Sequence, residues 1–315
     1  MDATAFHTAL AADEPILLDG GMSNQLEAQG ADLSDSLWSA RLLADNPGQI
    51  TAAHLAYYRA GARVATTASY QATFEGFAGR GLTHDEAADL LRQSVELAIA
   101  ARAAADAEDA RAGQTQVRRF IAASVGPYGA MLADGSEYRG RYGRTVAQLA
   151  DFHRERLAIL AATSSDVLAC ETIPEVEEAA AIAALLGETP GAAAWVSFSC
   201  RDGARLNSGA TIEEGVAAVD GKPGVVAVGV NCTPPEYLDE LIARIRSATA
   251  LPIVVYPNSG EGWDAVARRW TGTGPGRVDA EAVRRWRSLG AGLIGGCCRV
   301  GPDQLAALAP AMAAG

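Results

Sequence analysis

Cysteine, lysine and long apolar runs are all scarce in this chain, and each scarcity closes off a class of protein. Five cysteines among 315 residues is an odd number and too few for a disulfide-stapled scaffold. Metal binding or thiol chemistry in a reducing compartment is the use to expect of them. No apolar stretch approaches the ~18 residues of a membrane span. The opening Met1-Asp2-Ala3-Thr4 lacks a basic segment followed by an apolar one, so no secretory signal is expected and a cytoplasmic setting is. Basic residues are outnumbered, 26 against 38 acidic, for a formal charge of −12. That balance argues against nucleic acid or an anionic membrane as partner. The one lysine, Lys222, precedes a predicted strand instead of following one, which speaks against a barrel lyase working through a Schiff base. None of these features bears on oligomeric state.

What is abundant is alternation. Strands are predicted at 16–18, 63–68, 119–124, 166–169, 194–199, 225–230, 252–256 and 292–295, most of them bounded by Gly, Pro, Asp or Ser. Helices are predicted at 47–60, 83–107, 146–161, 174–186, 212–219, 235–246, 280–289 and 302–312. Ile50, His54, Leu55 and Tyr58 recur at helical spacing. Thr83 with Glu86 three residues on is a capping-box signature, and prolines such as Pro47 and Pro302 suit a first helical turn. The stretch 103–113 is the least apolar and reads as a frayed helix end.

Strands alternating with helices predict parallel pairing. Closing the sheet predicts an α/β fold of the (β/α)8 TIM-barrel type, a single domain over 1–315. An open doubly wound sheet would normally carry a G-x-G-x-x-G turn after its first strand, and Asp19-Gly20-Gly21-Met22 is a different pattern. Helix-to-strand connections such as Gly61-Ala62 are short, whereas 19–46, 126–144 and 257–278 are long strand-to-helix connections. In a barrel these long loops meet at the C-terminal mouth, where the site is expected.

Cys232 directly follows the sixth strand, and Cys297 and Cys298 directly follow the eighth. Three thiolates on one mouth, with one ligand position open, suit a catalytic Zn2+. A strand-end cysteine taken alone is more often a small buried apolar residue, and a vicinal pair could be a redox switch. Convergence of all three, with glycines making room, favours the metal. Cys170 and Cys200 end strands four and five and are expected to be packed. His7, His54, His84 and His153 lie on the N-terminal segment and on helices, and are not expected as ligands.

Gly-Val-Asn-Cys (229–232) and Gly-Gly-Cys-Cys-Arg-Val-Gly-Pro (295–302) resemble the two zinc signatures of the homocysteine S-methyltransferase family. Leu-Asp-Gly-Gly-Met-Ser-Asn-Gln-Leu-Glu (18–27) resembles its N-terminal signature, and Thr-Thr-Ala-Ser-Tyr-Gln (66–71) and Cys-Glu-Thr-Ile-Pro (170–174) match as well. The resemblance runs from about residue 15 to 310. The segments 126–142 and 256–261 are similar to the stand-alone branch that uses S-methylmethionine or S-adenosylmethionine. The folate and cobalamin domains of the multi-domain synthase are not expected within these 315 residues.

The resemblance implies zinc-dependent methyl transfer from a sulfonium donor to the thiol of homocysteine, forming methionine. A free thiol, with pKa ~8.5, is mostly protonated at neutral pH. A zinc ion with three cysteinate ligands has an open position for that thiol and leaves electron density on its sulfur. The leaving group is a neutral thioether, so alignment matters more than acid catalysis. Asp19 and Glu171, at the ends of strands one and four, are the candidates for the homocysteine ammonium. Gly20 and Gly21 would let backbone N–H groups approach its carboxylate. Tyr70 is a candidate neutral oxygen near the metal, and Asn231 would fix the metal loop by hydrogen bonds. Tyr128, Glu137, Tyr138 and Tyr142 are candidates for the donor cation. Plainer readings stand beside these: a turn-opening Asp19 and tyrosines that only pack. Betaine-dependent methylation and a non-catalytic zinc- or thiol-sensing barrel are the alternatives, and a sensor would leave the loop 126–144 unexplained.

Overall fold

The computed structural model describes residues 1, 3–12, 14–33, 40–264, 269–271 and 278–313. Its strands fall where the alternation predicts: β1 (Ile16–Leu17), β2 (Val64–Thr66), β3 (Phe120–Val125), β4 (Val167–Ile173), β5 (Ala194–Phe198), β6 (Val225–Asn231) and β7 (Ile253–Tyr256). A short antiparallel hairpin, β8 (Gly262–Asp264) with β9 (Arg269–Thr271), precedes the last barrel strand, β10 (Ala291–Ile294). The barrel strands pair in parallel in the order β1-β10-β7-β6-β5-β4-β3-β2. The ends of that order meet through a parallel bridge between Leu18 and Val64, with Arg63 N–H donating to Leu17 O at 2.7 Å. The sheet therefore closes, and the fold is a (β/α)8 barrel as expected.

Period-two alternation builds two cores. In β3, Phe120 and Ala122 point into the barrel, while Ile121, Ala123 and Val125 face the helices. The inner core mixes small residues (Ala122, Ala169, Ala227) with large ones (Phe120, Trp195, Tyr256). Its N-terminal end is stopped by Phe6 of α1 (Thr4–Ala11), whose ring lies 5.3 Å from that of Phe120 and 6.2 Å from that of Trp195. The sequence pattern predicts no element there. Gly229 lets β6 and β7 approach: a Cβ on it would lie 1.7 Å from Val254 O.

The long loops hold short helices of their own. The connection after β1 contains α2 (Met22–Ala28) and α3 (Arg41–Asp45). Next come α4 (Pro47–Arg59), α5 (Phe74–Ala78) after β2, and α6 (His84–Arg111). The connection after β3 contains α7 (Tyr128–Leu132) and a 3-10 turn at Ser136–Tyr138. The remaining outer helices are α8 (Val146–Ala161), α9 (Val176–Glu188), α10 (Ile212–Val219), α11 (Leu238–Ala248), α12 (Ala280–Ser288) and α13 (Pro302–Ala313).

The capping box at Thr83 and Glu86 forms as predicted. The expected fraying over 103–113 does not occur, since α6 stays helical to Arg111. The polar residues of that stretch are an ion-paired outer face. Asp106 and Asp109 hold Arg119 at 2.6 and 2.7 Å, and Glu108 holds Arg59 at 2.6 Å. Among the described residues no helix is long and apolar enough to cross a membrane.

Candidate active site

The three cysteines converge because β6, β7 and the loop after β10 are tied together at the mouth. Cys232 N–H donates to Tyr256 O at 3.1 Å and Cys297 N–H to Pro257 O at 2.7 Å. Ser259 N–H donates to Cys298 O at 3.1 Å, and Gly296 N–H to Asp19 O at 2.9 Å. Glycines permit this crowding: a Cβ on Gly295 would lie 2.6 Å from Leu18 Cβ, and one on Gly296 would lie 2.2 Å from Val300 Cγ1. Cys232 itself sits at φ 46°, Arg299 at 69° and Thr172 at 62°. Left-handed backbone at non-glycine residues costs free energy and gathers at functional sites.

Cys298 Sγ lies 3.7 Å from Cys232 Sγ and 4.0 Å from Cys297 Sγ. A tetrahedral zinc with Zn–S bonds of ~2.3 Å needs sulfur–sulfur edges of roughly 3.8 Å, so both separations fit. Cys232 and Cys297 are joined as a disulfide, which the sequence analysis did not expect. The three-thiol site requires that bond to be reduced and its two sulfurs to separate. Among the described residues this is the one group of three candidate ligands close enough to share an ion. The Cys298 thiol is pushed up to about 12, first by burial, with the charges of Glu137 and Glu171 adding to it.

A cavity opens directly beside the sulfurs. Its walls include Asp19, Tyr70, Glu137, Tyr138, Glu171 and Tyr256, and none of its described lining side chains is basic. Asp19 is not merely a turn opener, because its two carboxylate oxygens accept from Thr66 N–H (2.6 Å) and Thr66 Oγ1 (2.9 Å) across to β2. Burial pushes its carboxyl up to about 8, against the pull of those bonds, and Glu171 adds to the rise. Glu171 accepts from Ser124 Oγ and from the Tyr256 hydroxyl, and burial still raises it to about 7. Glu137 is likewise raised to about 7 by burial, and its Oε2 has no hydrogen-bond partner. Three buried carboxyls with no facing base form a place for cations.

The other expected site residues divide. Tyr138 reaches the cavity and meets the Cys298 sulfur through its hydroxyl, and Tyr70 hydrogen-bonds Thr172 and faces Glu137 and Cys298. Tyr128 and Tyr142 do not line the cavity. Their rings pack 5.3 Å apart, with Tyr128 also 5.0 Å from Phe152, so they build the back of the loop. The expectation for Gly21 needs correcting, since its N–H already donates to Val300 O at 2.9 Å. Gly20 lines the cavity, and both glycines are closely packed: a Cβ on Gly20 would lie 2.2 Å from Val300 O and one on Gly21 2.8 Å from Cys297 O.

Asn231 stands behind the cavity wall. Its Oδ1 accepts from Thr172 N–H (2.7 Å) and Ser197 Oγ (2.8 Å), and its Nδ2 donates to Thr172 Oγ1 (2.8 Å). It therefore holds the strained shoulder next to Glu171. Cys170 and Cys200 are buried in the core between barrel and helices. His7, His54, His84 and His153 do not line the cavity. Sequence reasoning missed Thr66, Ser124 and Tyr256 as site residues. All three stand at or next to the C-terminal ends of strands, the same signal that singled out Asp19 and Glu171.

The sequence model of the family described as Homocysteine S-methyltransferase matches residues 16–312. The chain is 49% identical over 294 residues to the homocysteine S-methyltransferase of Escherichia coli (strain K12), covering 93% of this chain and 94% of that one. It is 45% identical over 295 residues to Homocysteine S-methyltransferase YbgG of Bacillus subtilis (strain 168), covering 93% of each. It is 44% identical over 305 residues to the selenocysteine Se-methyltransferase of Brassica oleracea var. italica, covering 93% of this chain and 87% of that one. The crystal structure of the E. coli homocysteine methyltransferase MmuM in its metallated form matches with a TM-score of 0.84 at 46% identity, over 96% of this chain and 98% of that chain. Its oxidized form matches with a TM-score of 0.83 at 47% identity, over 94% and 95%. With a family match across nearly the whole barrel, and relatives this similar over most of their length, the chain belongs to the homocysteine S-methyltransferase family of enzymes.

Proposed function

We propose that the protein transfers a methyl group from a sulfonium donor, S-methylmethionine or S-adenosylmethionine, to the thiol of homocysteine, with zinc held by Cys232, Cys297 and Cys298. Residues 1–315 act as one homocysteine-binding domain in this reading, in the reducing cytoplasm that keeps its thiols free. The observation that carries it is the cavity: three buried carboxyls and no described basic side chain, set against three convergent sulfurs. Zinc, when bound there, would supply a Lewis-acidic position at which an acceptor thiol loses its proton near neutral pH.

The chain's own residues do the rest. Asp19 and Glu171 take the homocysteine ammonium, and each is pre-oriented by hydrogen bonds from Thr66, or from Ser124 and Tyr256. Glu137, with an unpartnered oxygen, faces the donor's positive charge. Tyr70 and Tyr138 add aromatic faces, which attract a sulfonium as they do other soft cations. The departing thioether is neutral and needs no proton. Burial excludes water, and in-line alignment of the two sulfurs about the methyl group supplies the rate.

Betaine is also a small cation. The cavity's charge does not set it apart, and the likeness of 133–138 to the sulfonium-using branch does. A sensing barrel would have no use for Glu137 and Tyr138 in the cavity. The test is methionine formation by reduced, zinc-loaded protein with homocysteine and each donor supplied separately. Turnover is expected with a sulfonium and not with betaine or methyltetrahydrofolate. Betaine turnover comparable to that with S-methylmethionine would overturn the assignment.

A further inference from the structure

The loop that carries Glu137 and Tyr138 into the cavity is held at both ends by two acids at the start of one outer helix, and neither acid lines the cavity. Near its start, Tyr128 N–H donates to Glu178 Oε1 at 2.6 Å, and Gly126 O accepts from Arg156 Nη2 at 2.6 Å. His153 links these two anchors. Its Nε2 lies 2.8 Å from Glu178 Oε1, and its Nδ1 lies 2.8 Å from Arg156 Nη2. That arrangement fits a neutral ring that donates to the carboxylate and accepts from the guanidinium. At the far end, Glu175 Oε2 accepts from Arg141 N–H and from Tyr142 N–H. Glu175 is the residue just before α9 and Glu178 lies within its first turn. From the N-cap and the first turn of α9, the two side chains grip the two arms of one loop.

The arms are also fitted to each other. A Cβ on Gly129 would lie 2.5 Å from Glu137 N, and Ser199 Oγ donates to Glu137 O at 3.1 Å. The first arm therefore fixes the height of Glu137 in the cavity. Glu175, Glu178, His153 and Arg156 are all buried. Buried charges are poor general stabilisers when apolar packing could replace them. Here Glu175, Glu178 and Arg156 are spent on four main-chain groups of a single loop, with His153 between two of them, so what they provide is a defined loop position.

We infer that Glu175 and Glu178, with His153 and Arg156 behind them, are positioning residues for the methyl donor. They set where Glu137 and Tyr138 stand, and so the affinity for the sulfonium, without touching either substrate. This rests on the reading that Glu137 and Tyr138 face the donor.

The experiment uses reduced, zinc-loaded protein, homocysteine and S-methylmethionine, with Glu175→Ala, Glu178→Ala and the corresponding Gln variants. Misplacing a binding group by about an ångström is enough for a tenfold effect, so each Ala variant should raise the donor KM about tenfold while the homocysteine KM and the zinc content stay within about twofold. Gln keeps an acceptor oxygen for the loop N–H groups and should restore most of the donor affinity. Arg139, Arg141 and Arg144 are exposed on the loop, so trypsin should cut there faster in the Ala variants than in the parent or the Gln variants.

A parallel rise in both KM values, an unchanged donor KM, or no rescue by Gln would overturn the inference. If Glu178→Ala does not fold, Glu175→Ala, at the start of the helix, decides. If the parent protein does not turn over a sulfonium at all, the functional reading fails instead. The trypsin comparison then still reports whether the two glutamates hold the loop.

Discussion

At the scale of single residues, the site is a set of groups kept in states they would not adopt in water. The Cys298 thiol is pushed up to about 12, first by desolvation, and a cation among the three sulfurs would pull it back down. Cys298→Ser should therefore leave the reduced protein without stoichiometric zinc, as measured by metal analysis after dialysis. Full retention would remove Cys298 from the ligand set. Asp19 offers a pH test. Its carboxyl rises from 3.8 to about 8 on burial, so between those values the folded chain holds a proton that the unfolded chain has released. Raising the pH through that window favours unfolding. In metal-free protein, the stability of Asp19→Asn relative to the parent should increase from pH 5 to pH 8, read from melting temperatures in a pH series. The same variant should raise the homocysteine KM by about tenfold or more, because a charge-assisted contact is lost, and should still bind zinc. The sequence exposed Asp19, Glu171 and the cysteines because each lies at or just past the C-terminal end of a strand. It did not expose the hydrogen bond that turns the Gly21 N–H away from any substrate, because that bond depends on Val300, far along the chain.

At the scale of elements, what was legible was local and periodic. The Thr83 capping box needs only residues 83–86 and forms as its spacing predicts. Thr145 with Gln148 and Thr211 with Glu214 repeat the device at the starts of α8 and α10. Thr83→Ala should cost about 1 kcal/mol of stability, visible in urea denaturation, with activity unchanged because the helix start is remote from the mouth. An unchanged unfolding midpoint would show that packing alone sets the start of α6. The short helices α2, α3, α5 and α7 were not legible. Helices of five to seven residues are too short to stand by their own propensity and exist through the contacts around them. The misread stretch 103–113 failed for a related reason. Its charges suggested a solvated end, whereas Arg59, distant in sequence, and Arg119, just before β3, pair with them.

At the scale of the whole molecule, closure of the barrel followed from strand–helix alternation, but what fills the barrel did not. The interior holds a column that runs from the plugged end to the mouth. Phe6 packs against Trp195, and Trp195 Nε1 donates to the Tyr256 hydroxyl at 3.0 Å. Tyr256 in turn donates to Glu171, beside the sulfurs. No periodicity in the sequence marks Phe6 as part of this column, since its place depends on α1 folding back under the strands. The column predicts a long-range effect. Phe6→Ala empties a fully buried site and should destabilise the protein by about 3–5 kcal/mol. If Trp195 relaxes toward the space, Tyr256 loses its donor and Glu171 its fixed orientation. The homocysteine KM should then rise while the donor KM, set by the loop after β3, stays close to the parent value. Steady-state kinetics well below the variant's melting temperature separate the two. A loss of stability with both KM values unchanged would show that the plug closes the barrel and does nothing for the acids at its mouth.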